Sequence, residues 1–180
     1  VTCRRDKDGA GGRGAGEGAL KHSKAGPTAH PKGTTSEVQD LSFNTPARRK
    51  FMLSESTEFR HINQLLSRIA LARYDVAFRL THNGRKVVDL SAVNEAARER
   101  RIAELTDPEF LGNALFLDET RMGLRLWGWI ALPSFSRGQP DVQHLYVNGR
   151  MVRDKLLGHA LRRAYADVLH SRRYPAYVLY

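Results

Sequence analysis

The stretch Gly33-Thr34-Thr35-Ser36-Glu37-Val38-Gln39-Asp40-Leu41-Ser42-Phe43-Asn44-Thr45-Pro46-Ala47-Arg48-Arg49-Lys50-Phe51 organises the reading of this chain. It holds a glycine turn, an extended run, a helix start and a basic triplet. Gly33 permits a backbone approach that a Cβ would block. Thr35 to Val38 fits an extended chain, with Val38 as its apolar contact. Asn44-Thr45-Pro46 then turns the chain into a helix. Thr45 is placed to cap it, and Pro46 falls at the first helical position, where a missing N–H costs nothing. Arg48, Arg49 and Lys50 follow in the first turn. The helix dipole disfavours cations there, so the triplet points to an anion nearby.

Working outward, Ser54-Glu55-Ser56-Thr57-Glu58 introduces a helix whose apolar face reads Phe59, Ile62, Leu65, Leu66, Ile69 and Ala70. Val76, Phe78 and Leu80 alternate with Ala77, Arg79 and Thr81, and Asn83-Gly84 makes this run and Arg85 to Leu90 a hairpin. A charged helix spans Asn94 to Leu105. Strands follow at Ala114 to Asp118 and Gly123 to Ala131. On the second strand Trp127 and Trp129 share a face; core packing explains them better than a base-stacking platform. His144 to Val147 is a strand and Asn148-Gly149 a turn. Asp154 caps a helix running to about Leu169, with a buried face of Leu156, Leu157, Ala160, Leu161, Ala164, Tyr165 and Val168. Tyr177 to Tyr180 starts another strand. The whole reads as an α+β protein, with a subdomain boundary near residues 91–93.

Toward the N-terminus, Val1 to Arg5 reads as the end of a strand. Residues 6–29 are rich in Gly, Ala and Lys with no hydrophobic period, and read as a flexible loop. The run Gly9-Ala10-Gly11-Gly12-Arg13-Gly14 is not a phosphate loop: no apolar strand leads in and no Gly-Lys-Ser/Thr leads out.

The formal net charge of +10, from 29 Lys and Arg against 19 Asp and Glu, points to a polyanion partner. A hydrophobic content of 41% is enough for a core. The single cysteine, Cys3, excludes an internal disulfide and a Cys-based metal site. The histidines include no HxxxH or HxH pair, and no carboxylate pair stands out as an acid–base couple. No catalytic and no metal-ligating residue is therefore assigned. No apolar run approaches a membrane span, and the N-terminus carries no signal-like segment. Val1 in place of an initiator Met suggests a fragment.

The opening stretch resembles the MutL family of DNA mismatch-repair ATPases, in which a Gly-Thr-Thr strand precedes Asn-Thr-Pro-Ala-Arg-Arg-Lys-Phe. A second match is Tyr146-Val147-Asn148-Gly149-Arg150-Met151-Val152-Arg153-Asp154. The resemblance runs from His30 to Tyr180. It departs from the family at Ser36 and Ser42, where larger apolar residues are usual. It implies that residues 1–92 are the rear part of a GHKL ATPase sandwich, with residues 6–29 a hairpin of variable length. Residues 93–180 then resemble a ribosomal protein S5 domain 2-like subdomain. It also implies that Gly33 and Thr34 form the far wall of a nucleotide pocket, on the adenine side. ATP and Mg belong to the parent protein. Its catalytic glutamate, Mg-binding asparagine and Asp-x-Gly-x-Gly segment have no counterpart upstream of Gly33, and its phosphate-reaching lysine falls beyond Tyr180. The chain alone is therefore expected neither to hydrolyse ATP nor to bind it tightly.

From Asn148 to Arg173 the basic residues are Arg150, Arg153, Lys155, Arg162, Arg163, Arg172 and Arg173, against Asp154 and Asp167 alone. Lys155, His159, Arg162 and Arg163 fall on one helical stripe, and Arg150 and Arg153 precede it. The resemblance makes this stripe the lining of a groove that binds DNA without sequence preference; Arg150, Arg153, Lys155, Arg162 and Arg163 are the candidate contacts. The implied parent is an ATP-gated clamp that pairs with itself or a paralogue and contacts a MutS-type mismatch sensor. Its expected location is the bacterial nucleoid or a eukaryotic nucleus, away from membranes. The alternatives are the transducer domain of a gyrase-type topoisomerase and a basic RNA-binding module like ribosomal S5.

Overall fold

The protein is described here by a computed structural model covering residues 1–4, 11–15, 24–40, 42, 45–169 and 172–180. Asn44 and parts of the 6–29 segment lie outside the described residues. The chain forms two compact units, Val1–Glu58 and Phe59–Tyr180.

In the first unit, β1 (Thr2–Arg4), β2 (Gly11–Ala15), β3 (Lys24–Thr28) and β4 (Gly33–Thr35) form an antiparallel sheet in the order β3-β2-β1-β4. The flexible-loop reading is thus corrected for residues 11–15 and 24–28, while residues 6–10 and 16–23 lie outside the described residues. Gly11 pairs with Thr28 and Ala15 with Lys24, a hairpin as the family resemblance implied. Backbone N–H and C=O groups make that ladder, so it needs no side-chain periodicity to announce it.

The opening stretch also changes. Its strand is Gly33–Thr35 and does not extend to Val38, which is 75% exposed. Pro46 does start α1 (Pro46–Lys50), but the Thr45 side chain makes no cap hydrogen bond. The helix has only five residues, so Arg48, Arg49 and Lys50 form its last turn as well as its first. The dipole favours cations at that end, and the triplet requires no anion.

α2 (Glu55–Ala72) carries the chain into the second unit. Only Ala70 and Leu71 on it are buried, while Ile62, Leu65 and Ile69 are exposed, so most of its apolar face lacks cover from the described residues. The hairpin β5 (Phe78–His82) and β6 (Arg85–Leu90) turns at Asn83 (φ 48°) and Gly84 (φ 74°), the two left-handed residues that such a turn requires. A short 3₁₀ turn, Glu95–Ala97, leads into α3 (Arg98–Leu105).

The main sheet contains β7 (Ala114–Arg121), β8 (Leu124–Ala131), β9 (Gln143–Val147), β10 (Arg150–Met151) and β11 (Tyr177–Leu179) in the order β10-β9-β11-β8-β7. β11 sits at the centre, parallel to β9 and antiparallel to β8, with all three residues buried. The core gathers Leu71, Ile102, Phe110, Trp129, Tyr146 and Val178. Trp129 is buried and donates from Nε1 to Glu99 Oε1 at 3.2 Å. Trp127 stacks on Tyr180 at 4.2 Å, with the Arg98 guanidinium 4.4 Å above it. Both rings are thus engaged within the protein. The opposite face of β8 is covered only in part: Leu124 and Leu126, near its start, are exposed, while from Trp127 to Ala131 the strand pairs with the C-terminal segment. Gly128 has φ +135°, and a Cβ there would stand 2.2 Å from the Val178 carbonyl, so that tight pairing admits only glycine.

The charged α3 hides one residue that its composition conceals. Arg101 is fully buried and donates to the carbonyls of Ala70 (3.2 Å), Val76 (3.0 Å) and Ser91. It ties the end of α2, the approach to β5 and the segment after β6 onto α3. The expected boundary near residues 91–93 consequently falls inside the second compact unit.

Candidate nucleic-acid interface

The cationic segment is built on a hairpin and a capped helix. Asn148 (φ 49°) and Gly149 (φ 76°) turn β9 into β10, placing Arg150 opposite Val147. Asp154 then caps α4 (Lys155–Ala164), its Oδ1 accepting from the Leu157 N–H at 2.9 Å. The helix stops at Ala164, short of Leu169. Tyr165 is buried and donates its hydroxyl to the Ala131 carbonyl at 2.9 Å, and the chain winds through tight turns beyond it. The expected buried face is corrected with it. Gly158 and Leu161 are half-buried, while Leu156 is 75% exposed and Leu157, Ala160, Ala164 and Val168 are also exposed.

Arg150, Arg153, Lys155, Arg162 and Arg163 are all exposed. His159, Arg162, Arg163, Ala166 and Asp167 line an open depression of about 560 Å³. The structure therefore brings Arg162 and Arg163 together with His159. Arg150, Arg153 and Lys155 precede that depression and do not line it. Sequence reasoning counted Asp167 only as a nearby acid. Its spacing of four from Arg163 was the available signal, but the helix ends between them. Arg162 and Arg163 occupy the last turn of α4, where the dipole favours positive charge.

Ion pairing separates this segment from the arginines between Arg73 and Arg137, most of which have an acidic partner. Arg73 pairs with Asp75, Arg79 and Lys86 with Asp89, Arg100 with Glu104, Arg125 with Asp118, and Arg137 with Asp107 and Asp141. These pairs hold Asp75, Asp89, Asp118 and Asp141 below the usual carboxylate range, chiefly through hydrogen bonds from their basic partners. Arg150, Arg153, Lys155, Arg162 and Arg163 make no ion pair with any described residue. The local field also reaches inward. His144 on β9 is pushed down to about 4 by burial first, then by the positive charges of Arg68 and Arg153.

Gly33 and Thr34 stand on the exposed strand β4, where Thr34 pairs with Cys3. Gly33 has φ +134° but open space where a Cβ would go, so backbone conformation rather than close packing calls for glycine. Beside them His30 lies 2.9 Å from Thr35 Oγ1 and 2.6 Å from the Pro31 carbonyl. A carbonyl only accepts, so Nδ1 carries a proton and donates it to the Pro31 carbonyl. Among the described residues no group of three His, Cys, Asp or Glu could hold a metal ion. No helix among the described residues is long and apolar enough to cross a membrane.

A family model described as DNA mismatch repair protein, C-terminal domain, matches residues 102–180. The chain is 52% identical over 175 residues to the DNA mismatch repair protein MutL of Cellvibrio japonicus, covering 97% of this chain and 28% of that protein. It is 55% identical over 165 residues to MutL of Azotobacter vinelandii, covering 91% and 26%. The chain belongs to the MutL family. Its α+β fold is that of a MutL ATPase domain. The Aquifex aeolicus MutL ATPase domain complexed with ADP superposes with a TM-score of 0.67 at 25% identity, over 99% of this chain and 64% of that one. A second Aquifex aeolicus MutL ATPase domain, carrying a lysine substitution, gives a TM-score of 0.65 at 27% identity, with the same coverage. The chain thus spans little more than a quarter of its curated MutL relatives. These likenesses give no support to the topoisomerase or RNA-binding alternatives.

Proposed function

We propose that this chain is the part of a MutL-type mismatch-repair protein that grips the DNA backbone, with α4 and the β10–α4 turn as the contact surface. The observation that carries the reading is that Arg150, Arg153, Lys155, Arg162 and Arg163, gathered on one hairpin–helix segment, are exposed and make no ion pair with a described residue, whereas Arg73, Arg79, Arg100, Arg125 and Arg137 are neutralised by acids. Unpaired, exposed cations bind phosphates and release the counterions condensed on DNA, without reading bases. α4 has ten residues, about 15 Å of helix, enough to meet successive phosphates of one strand. In the whole protein the wall formed by Gly33 and Thr34 is completed by residues outside this chain, and ATP with Mg closes a clamp of two copies or of paralogues. That closure is relayed to the DNA surface and to a MutS-type mismatch sensor.

The test is a salt titration of duplex binding followed by fluorescence anisotropy. Lys155→Glu or Arg162→Glu is expected to weaken binding alike on unrelated sequences and to reduce the salt slope by about one unit per lost contact. Wild-type isotherms for both variants would refute the assignment.

A further inference from the structure

The depression on α4 contains one imidazole beside its two arginines. His159 lies four residues after Lys155, three before Arg162 and four before Arg163, so all three are its neighbours on the helix surface. It is exposed, and it makes no hydrogen bond or ion pair with a described residue. It lines the depression with Arg162, Arg163, Ala166 and Asp167, all from α4 or the turn after it. Two carboxylates belong to the same segment. Asp154 is engaged in capping the Leu157 N–H, and Asp167 makes no ion pair with His159. Nothing within the described protein neutralises a charge on this imidazole. Imidazole is also the side chain that ordinarily changes charge between about pH 5 and 8, whereas lysine and arginine keep theirs throughout that range.

We propose that His159 is a proton-switched phosphate ligand. Charged, it joins Arg162 and Arg163 in holding a DNA backbone phosphate; neutral, it leaves the two arginines to hold it alone. The proposal rests on the reading of α4 as the DNA-binding surface. A phosphate seated between the arginines favours the charged imidazole, so binding takes up a proton and affinity rises as pH falls. The added positive charge displaces up to one more condensed counterion from the duplex, which steepens the salt dependence by at most about 0.9 in slope. Asp167 repels the same phosphate and biases it toward the His159 side of the depression.

The experiment measures anisotropy of a labelled duplex of about 30 base pairs with the 180-residue chain, at pH 8 and pH 6, across a sodium chloride titration. The wild-type chain is expected to bind about threefold to fivefold more tightly at pH 6, the range of one exposed ion pair, and with a steeper salt slope. His159→Gln should erase that gain. His159→Arg should bind with the steep slope at both pH values. If His159→Gln keeps the full gain, the proposal is overturned. If the wild-type chain shows no gain while Arg162→Glu still weakens binding, the proposal falls and the reading of α4 stands. If a double reversal, Arg162→Glu with Arg163→Glu, binds like wild type, the reading of α4 fails and takes the proposal with it.

Discussion

Replacing Arg101 with methionine tests how the second unit is held together. The side chain is fully buried, and its guanidinium donates to the carbonyls of Ala70, Val76 and Ser91 on three separate segments. Burial lowers its pKa, with Glu104 and Asp75 opposing; a guanidinium nonetheless stays charged in a protein. Methionine fills part of the volume and leaves the three carbonyls bare, at about 1 kcal/mol or more each. One term runs the other way: Arg101 Nε is itself buried without a partner, and the substitution removes that penalty. The net loss is about 3 kcal/mol, within the range for stranding the partners of a buried charge. In a unit of this size that lowers Tm by roughly 12 °C. The assay is urea unfolding followed by tryptophan fluorescence. Both tryptophans, Trp127 and Trp129, lie in the second unit, so the signal reports on that unit. Arg100→Met is the control, on the same helix, where the Arg100–Glu104 pair is largely exposed and the loss should stay within about 0.5 kcal/mol. If Arg101→Met falls within about 1 kcal/mol of Arg100→Met, the three carbonyls find other partners and the joint is not what holds these segments.

His144 gives a pH signature. The unfolded chain takes up its proton near 6.5 but the native protein only near about 4, so the unfolded state binds more protons between those values and stability falls as pH drops through them. The contribution is at most about 3 kcal/mol, and His144→Gln should flatten that part of the wild-type curve in acid urea titrations; an unchanged curve would show that the buried imidazole is not responsible. On the nucleotide side, a malachite-green assay of the 180-residue chain with ATP and Mg is expected to stay at the blank. Magnesium-dependent turnover well above it would mean that the chain holds a catalytic shell of its own, and that Gly33 and Thr34 are more than one wall.

The parts of the fold legible in the sequence are those fixed by local physics. Asn83-Gly84 and Asn148-Gly149 adopt the left-handed pair of angles that hairpins need, and Asp154 caps α4 through its own side chain. Tertiary placement decided the rest. The strands β2 and β3 form from backbone pairing in a glycine-rich run with no side-chain signal. α4 ends early because Tyr165 turns inward to the Ala131 carbonyl. Arg101 looks like its neighbours Arg98 and Arg100 in a charged helix, and only its place under α2 and β6 makes it a core residue. The candidate site divides the same way. Its residue types and stripe could be read from spacing, whereas the grouping of His159 with Arg162, Arg163 and Asp167, apart from Arg150 and Arg153, could not.

A net charge of +10 says that the chain attracts polyanions but not where they land. Ion pairing narrows the choice. Hydrogen bonds to Asp75, Asp118 and Asp141 raise Arg73, Arg125 and Arg137 above their ordinary values, so each guanidinium already has the partner that a phosphate would have to replace. A phosphate docking on β7 and β8 would have to displace Asp118 from Arg125, where the two groups are joined by two hydrogen bonds. It would gain one charge-assisted contact and lose another, with little net free energy. A phosphate docking on α4 displaces only water and mobile counterions from Arg162 and Arg163, and the entropy of those released ions drives association. The acids that the sequence scatters among its arginines from Arg73 to Arg137 thus leave α4 as a surface on which binding a duplex breaks no existing ion pair.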